Sequence, residues 1–231
     1  GPNRGHPCVF VRLSLCNLHC SWCDTDYTWN WQGTKFYHRN QNKPGYSKFD
    51  KDALILEQSS EEITKIVTSF DCDYVVITGG EPLLQQGEVF ELLQCIKAAR
   101  PDWRLEIETN GTIVPTPEIE ELVEQFNVSP KLASSGNAIP SCQKPTPLAH
   151  FARSLKTTFK FVVTDPSDLS EVVGLVDGYG INPRKVYLVP EAINKKDANR
   201  KSSWLPERCK ELGYAYCDRL NIALYGNQRA T

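Results

Sequence analysis

A chain of 231 residues with 40% hydrophobic composition can bury one full core, so a single domain over residues 1–231 is expected. A formal charge of −2 and a pI near 6.1 leave no electrostatic footprint for nucleic acid or an anionic membrane, and no apolar run approaches the roughly twenty residues of a membrane span. These features argue against nucleic-acid and membrane partners and point to a small-molecule ligand; with no signal peptide at its start, the chain is expected in the cytoplasm.

Nine cysteines are too sparse for a secreted disulfide scaffold and suit a reducing compartment. Six of them, Cys8, Cys72, Cys95, Cys142, Cys209 and Cys217, are scattered without ligand spacing and read as buried or incidental thiols. The chain has no methionine and begins Gly1-Pro2, which reads as a protease scar, so the biological start is expected elsewhere.

In chain order, Cys8-Val-Phe-Val-Arg-Leu-Ser14 is a β-branched and aromatic run that predicts a strand. Arg12 interrupts it, either as an exposed strand residue or as a bidentate clamp for a carboxylate. The strand feeds into Cys16-Asn-Leu-His-Cys20-Ser-Trp-Cys23, followed at once by Asp24 and Thr25. Three thiolates in one short loop can hold three irons of a [4Fe–4S] cluster and leave the fourth iron open for a ligand. A zinc site completed by His6, His19 or His38 would use a similar loop. From Asp26 to Asp50 the chain is polar, with Trp29, Trp31, Phe36, Tyr37 and Tyr46 interspersed; it is expected to form a lid or cluster-proximal insertion, or else ordinary satellite packing.

Ser59 and Ser60 before Glu61-Glu62 give a capping signature for a helix running to about Phe70. Tyr74-Val-Val-Ile-Thr78 has the continuous apolar character of a buried parallel strand and ends in Gly79-Gly80-Glu81-Pro82, where paired glycines allow close backbone approach and Glu81 can receive an ammonium group. A helix from about Gln86 to Arg100 follows, then a strand Arg104–Thr109 closed by Asn110-Gly111. Of its two acids, Glu106 and Glu108, one is expected to face solvent and the other a site. A helix from Pro117 to about Gln125 precedes a strand from Phe126 to Lys131, with Lys131 as a surface charge or a hand on a ligand. Leu132–Pro147 reads as a loop. Strands at 157–163 and 185–190, a helix near 167–177, a polar basic stretch 194–203, a helix to Leu212, a strand 213–217 and a polar tail 225–231 complete the chain. Alternating strands and helices predict an α/β fold, an incomplete TIM-like β/α barrel with a mostly parallel sheet of six or seven strands.

The loop fits C-x3-C-x-φ-C, with Trp22 as the aromatic φ, and with Gly79-Gly80-Glu81-Pro82, Glu108-Thr-Asn-Gly111 and Ser129-Pro-Lys131 at successive strand ends the chain resembles radical S-adenosylmethionine (SAM) enzymes over most of its length. Phe10 to Thr25 and Thr78 to Leu84 are similar to the 7-carboxy-7-deazaguanine synthase family. That resemblance implies a lyase that converts 6-carboxy-5,6,7,8-tetrahydropterin into 7-carboxy-7-deazaguanine, with loss of ammonia, on the route to queuosine. It implies Cys16, Cys20 and Cys23 as cluster ligands, and Trp22, Gly79, Gly80, Glu81, Thr109, Asn110, Ser129 and Lys131 along SAM. Arg12 and Thr78 would meet the substrate, Arg12 through its carboxylate, and Thr25 would meet a Mg2+ ion. It also implies a homodimer and an electron donor such as flavodoxin. Family members carry an N-terminal strand and a Gln-Gly-Glu-Gly turn ahead of the point where this chain opens, so that strand is expected to be missing. The rival functions are a glycyl-radical-enzyme activating enzyme of the same superfamily and a non-enzymatic zinc-binding module.

Overall fold

The computed structural model describes residues 1–226 and 228, and the chain divides into two compact units. The first comprises Pro7–Thr109 and Ile113–Phe126; the second comprises Gly1–His6, Asn110–Thr112 and Asn127–Thr231. Seven strands follow one another in chain order, with helices between them, and every register within either unit is parallel. This is the strand–helix alternation of an incomplete β/α barrel, as the sequence leads one to expect.

In the first unit, β1 (Val9–Leu13), β2 (Tyr74–Gly79) and β3 (Arg104–Thr109) lie side by side, with Arg12 opposite Thr78 and Ile77 opposite Ile107. Val75, Ile77, Leu105 and Ile107 are fully buried on one face. Helix α3 (Gln86–Ala99) buries Val89, Leu92, Leu93 and Ile96 at helical spacing, each side chain contributing about 1.5–3 kcal/mol of transfer free energy. Helix α2 (Ser60–Val67) opens with a capping box, Glu62 N–H on Ser59 Oγ and Ser59 N–H on the Glu62 carboxylate. A one-turn helix α1 (Lys51–Leu54) precedes it. Helix α4 (Pro117–Leu122) stops short of the expected Gln125 because Val123 is already extended and buried, on the way into β4 (Gln125–Val128).

The two acids of β3 do not split between solvent and a site as expected. Period-two alternation puts Glu106 and Glu108 on the same face, and both bond to groups on β2: Tyr74 OH donates to Glu106, and Thr78 Oγ1 donates to Glu108 at 3.1 Å. Neither faces away from the other.

In the second unit, β5 (Thr157–Val163), β6 (Val186–Pro190) and β7 (Ala215–Tyr216) form the parallel set. Around them run α5 (Ile139–Cys142), α6 (Pro145–Arg153), α7 (Asp168–Tyr179), α8 (Lys195–Ser202), α9 (Leu205–Leu212) and α10 (Leu220–Tyr225). The expected loop 132–147 therefore contains a helix and the start of another, because Pro140 and Pro145 sit in first turns where no amide is needed. The polar stretch 194–203 is also helical. Asn194 caps it, and Lys201 is buried against Glu191 at 2.8 Å. The polar tail expected at 225–231 lies largely outside the described residues. Among the described residues no helix is long and apolar enough to cross a membrane.

Candidate active site

The first unit carries most of the residues singled out by the sequence. Past the end of β1, the chain stays bonded to the exit of β2: Gly80 N–H donates to Leu13 O at 3.1 Å and Glu81 N–H to Leu15 O at 2.8 Å. The fit leaves no room for side chains. A Cβ on Gly79 would lie 2.2 Å from Leu13 O, and one on Gly80 would lie 2.0 Å from Leu15 O and 2.9 Å from Cys16 Cβ. Leu15 itself holds φ +71°, a left-handed backbone that costs a non-glycine residue about 1–2 kcal/mol. It is retained by its carbonyl bond to Glu81 and by its own N–H, which donates to Thr28 O at 2.9 Å.

Glu81 is fully buried and joins two strand exits. Its Oε1 accepts from Leu83 N–H at 3.0 Å and from the Thr109 hydroxyl at 2.8 Å. Arg12 is exposed and, by register, shares a row with Thr78, whose hydroxyl bonds Glu108. Arg12, Thr78, Glu108, Glu81 and Thr109 thus belong to one set of neighbouring strand ends.

Within the cysteine loop, Leu18 N–H points at Cys16 Sγ (3.4 Å), Cys23 N–H donates to Cys20 O (3.0 Å), and Cys23 Sγ lies 3.6 Å from Thr25 Oγ1. Trp22 is half-buried. Burial, then the charges of Asp24 and Cys20, push the Cys23 thiol up to about 12, so its thiolate form needs a nearby cation. Among the described residues no three His, Cys, Asp or Glu side chains already converge as a metal site. The sequence gathers the thiols, and metal binding would draw them onto a common centre. His19 stacks on Phe36 and meets the edge of Trp29, and burial lowers its basicity; His38 is engaged with Cys23 O and Asn40 N–H, and His6 is exposed in the other unit.

The remaining candidates are in the second unit. Asn110, next along the chain from Thr109, is buried and closes a turn in which its Oδ1 accepts from Thr112 N–H and Thr112 Oγ1. Gly111 has φ +76°, and a Cβ there would meet Val128 at 2.7 Å, so the turn requires glycine. Lys131 Nζ donates to Ser129 Oγ at 2.9 Å, pairing two of the residues expected along SAM.

The Radical SAM superfamily model matches residues 11–135, more than half of the chain, including the cysteine loop and both strand exits. A 7-carboxy-7-deazaguanine synthase of Pyrobaculum aerophilum is 34% identical over 99% of this chain and 90% of its own length. Namesakes from Rhodopirellula baltica and Halobacterium salinarum are each 31% identical over the whole chain, covering 84% and 88% of their own lengths. The chain belongs to the 7-carboxy-7-deazaguanine synthase family.

As a radical SAM member of that family it uses a [4Fe–4S] cluster and SAM. The donor set fits: three soft thiols in eight residues, one of them already facing a backbone N–H as cluster sulfurs do, supply three ligands and leave an iron open. The relatives favour this reading over the glycyl-radical activating enzyme and the zinc module.

The synthase-family motifs left a group of side chains unnoticed. Asp26, Asn30, His38 and Tyr46 meet in a mostly buried polar cluster beside Cys23. They are spread over twenty-one residues of irregular chain, where only a short turn at Asp26–Thr28 and one bridge, Trp31 to Phe49, are regular. No periodic spacing could have signalled them.

Proposed function

We propose that this chain converts 6-carboxy-5,6,7,8-tetrahydropterin into 7-carboxy-7-deazaguanine, a ring contraction with loss of ammonia in queuosine and deazapurine biosynthesis. The observation that carries the proposal is the seam at the strand exits, where Gly80 lies flush on Leu15 and Cys16 while Glu81 and Thr109 are locked together. When bound, the cluster and SAM supply one-electron cleavage and a carbon radical that takes a hydrogen atom from substrate.

The chain's own residues position these groups. Cys16, Cys20 and Cys23 would ligate the cluster. Gly79 and Gly80, whose Cβ positions are taken by the backbone of Leu13 and Leu15, would seat the cluster loop against the strand exit that meets the methionyl part of SAM, and Glu81, oriented by Thr109 and Leu83 N–H, would receive its ammonium. Trp22, Asn110, Ser129 and Lys131 would line the rest of SAM. Arg12 would grip the substrate carboxylate at two points, holding the carbon that bears it at near-attack distance, with Thr78 alongside and oriented by Glu108. Thr25 would give its hydroxyl to a Mg2+ ion that also binds substrate oxygens.

On this reading residues 1–231 work as one domain, with 26–50 as a lid or insertion beside the cluster. A homodimer, a flavodoxin-type electron donor and a cytoplasmic location complete the proposal. The test is anaerobic incubation of the reconstituted protein with SAM, reductant and carboxytetrahydropterin, followed by mass analysis. The deazaguanine acid and 5′-deoxyadenosine are expected together. A colourless protein with stoichiometric zinc, or 5′-deoxyadenosine without the deazaguanine acid, rejects it.

A further inference from the structure

The Cys23 end of the loop is braced by a side chain that no motif assigns. His38 is 2% exposed, and its Nε2 lies 2.9 Å from the carbonyl oxygen of Cys23. A carbonyl only accepts, so Nε2 carries the proton. At the other ring nitrogen, Nδ1 accepts from Asn40 N–H at 3.3 Å. Both ring nitrogens are therefore engaged, and Nε2 is the one turned to the Cys23 peptide.

The ring is also held by its surroundings. Tyr46 stacks parallel to it, with centroids 6.1 Å apart and planes 10° from parallel. Fully buried Asn30 donates through Nδ2 to Tyr46 OH at 2.6 Å and to Asp26 Oδ2 at 3.2 Å, and that carboxylate stands 3.7 Å from His38 Nδ1. The neighbouring backbone adds a second brace, as Arg39 N–H donates to Ser21 O at 2.9 Å. Residues 38 and 39 thus grip both ends of the tripeptide Ser21-Trp22-Cys23.

We propose that His38 is a positioning residue for the third thiol, fixing the Cys23 peptide through Nε2–H so that its sulfur is presented to the cluster. The proposal rests on the assignment of Cys16, Cys20 and Cys23 as cluster ligands. The physical ground is that a group hydrogen-bonded behind a metal ligand sets that ligand's orientation, and its removal typically costs about ten- to a hundred-fold in metal affinity.

The test compares wild type with His38→Gln, His38→Asn and His38→Leu in the full chain after anaerobic reconstitution. It reads iron and sulfide content, the rate of cluster loss to a chelator, and the EPR spectrum of the reduced cluster. Glutamine can place an amide N–H near the position of Nε2 and should restore wild-type behaviour. Asparagine, which reaches only the inner ring position, and leucine should lose the cluster about ten- to a hundred-fold faster and give an altered reduced-state spectrum. Circular dichroism identifies a variant that has not folded; should leucine fail, the contrast between glutamine and asparagine decides. Asparagine or folded leucine with the wild-type spectrum and cluster lifetime overturns the proposal, as does glutamine behaving like asparagine. Cys23→Ala separates the two levels of inference. If it keeps a full cluster, the ligand assignment fails and the His38 role with it; if it loses the cluster while the asparagine variant matches wild type, only the His38 role fails.

Discussion

The two ends of the cysteine loop are held by different means. At Cys16 the constraint is backbone on backbone: Gly80 and Glu81 continue the strand ladder onto Leu13 and Leu15, in a space where no Cβ fits. At Cys23 it is side chain on backbone, a buried imidazole and the polar groups behind it, drawn from an irregular segment. The first kind tolerates almost nothing, because main-chain atoms cannot move aside. The second is graded, since another donor of suitable reach can replace it.

Substituting the thiols tests both ends at once and should have the largest effect. Cys16→Ala, Cys20→Ala and Cys23→Ala are each expected to abolish 5′-deoxyadenosine formation, measured by chromatography. Cys72→Ala and Cys95→Ala, outside the loop, should leave it unchanged. Normal SAM cleavage in Cys20→Ala would sink the ligand assignment.

The glycine seam comes next. Gly80→Ala should destabilise the protein by on the order of 3 kcal/mol in urea unfolding, because the added methyl meets a fixed carbonyl. Gly87→Ala, in helix α3 with nothing within 4 Å of its Cβ position, should instead stabilise by about 0.5–1 kcal/mol. Similar small effects at both positions would remove the contrast between the seam and its surroundings.

Arg12 tests how far the rigid end extends toward substrate. Arg12→Lys should still cleave SAM but yield about ten- to a hundred-fold less deazaguanine product per 5′-deoxyadenosine, since a point charge cannot copy a two-point grip. Wild-type product yield per SAM cleaved would make Arg12 only an exposed strand residue.

Thr25, just past the graded end, should give the smallest effect on turnover. Thr25→Ala is expected to lose most of the Mg2+ stimulation while SAM binding, followed by calorimetry, survives. A larger loss in Asp24→Ala would transfer the metal role to the carboxylate.

How legible these features were follows the same division. The strands at β2, β3 and β5 are plain in the sequence as apolar or alternating runs, and the capping box of α2 is spelled out by Ser59 and Glu62. Gly79, Gly80 and Glu81 stand out as a Gly-Gly-Glu-Pro run at a strand end, read there as room for a ligand, whereas the seam with Leu13 and Leu15 appears only in the folded chain. Helix α8 does not stand out, because Lys195–Ser202 has no apolar stripe and docks through polar groups, Lys201 on Glu191 and Ser202 on the Tyr216 hydroxyl. Helix α6 is obscured by the prolines that begin it. His38 is legible only as a candidate zinc ligand; its bond to Cys23 depends on a chain reversal over fifteen residues that no periodic spacing announces.

Deuterium uptake would express the difference between the loop's two ends as time. Gly80 and Glu81 amides, bonded to Leu13 and Leu15 carbonyls, can exchange only when the end of β1 and the chain after it part from β2. Arg39 N–H, bonded to Ser21 O from a segment without a ladder, needs only a local opening and should label far sooner. Mass spectrometry of peptic fragments would read both amides in one experiment, and equal protection would mean the two ends breathe together. With the expected order, the backbone beside the first thiol keeps a slower clock than the backbone beside the third.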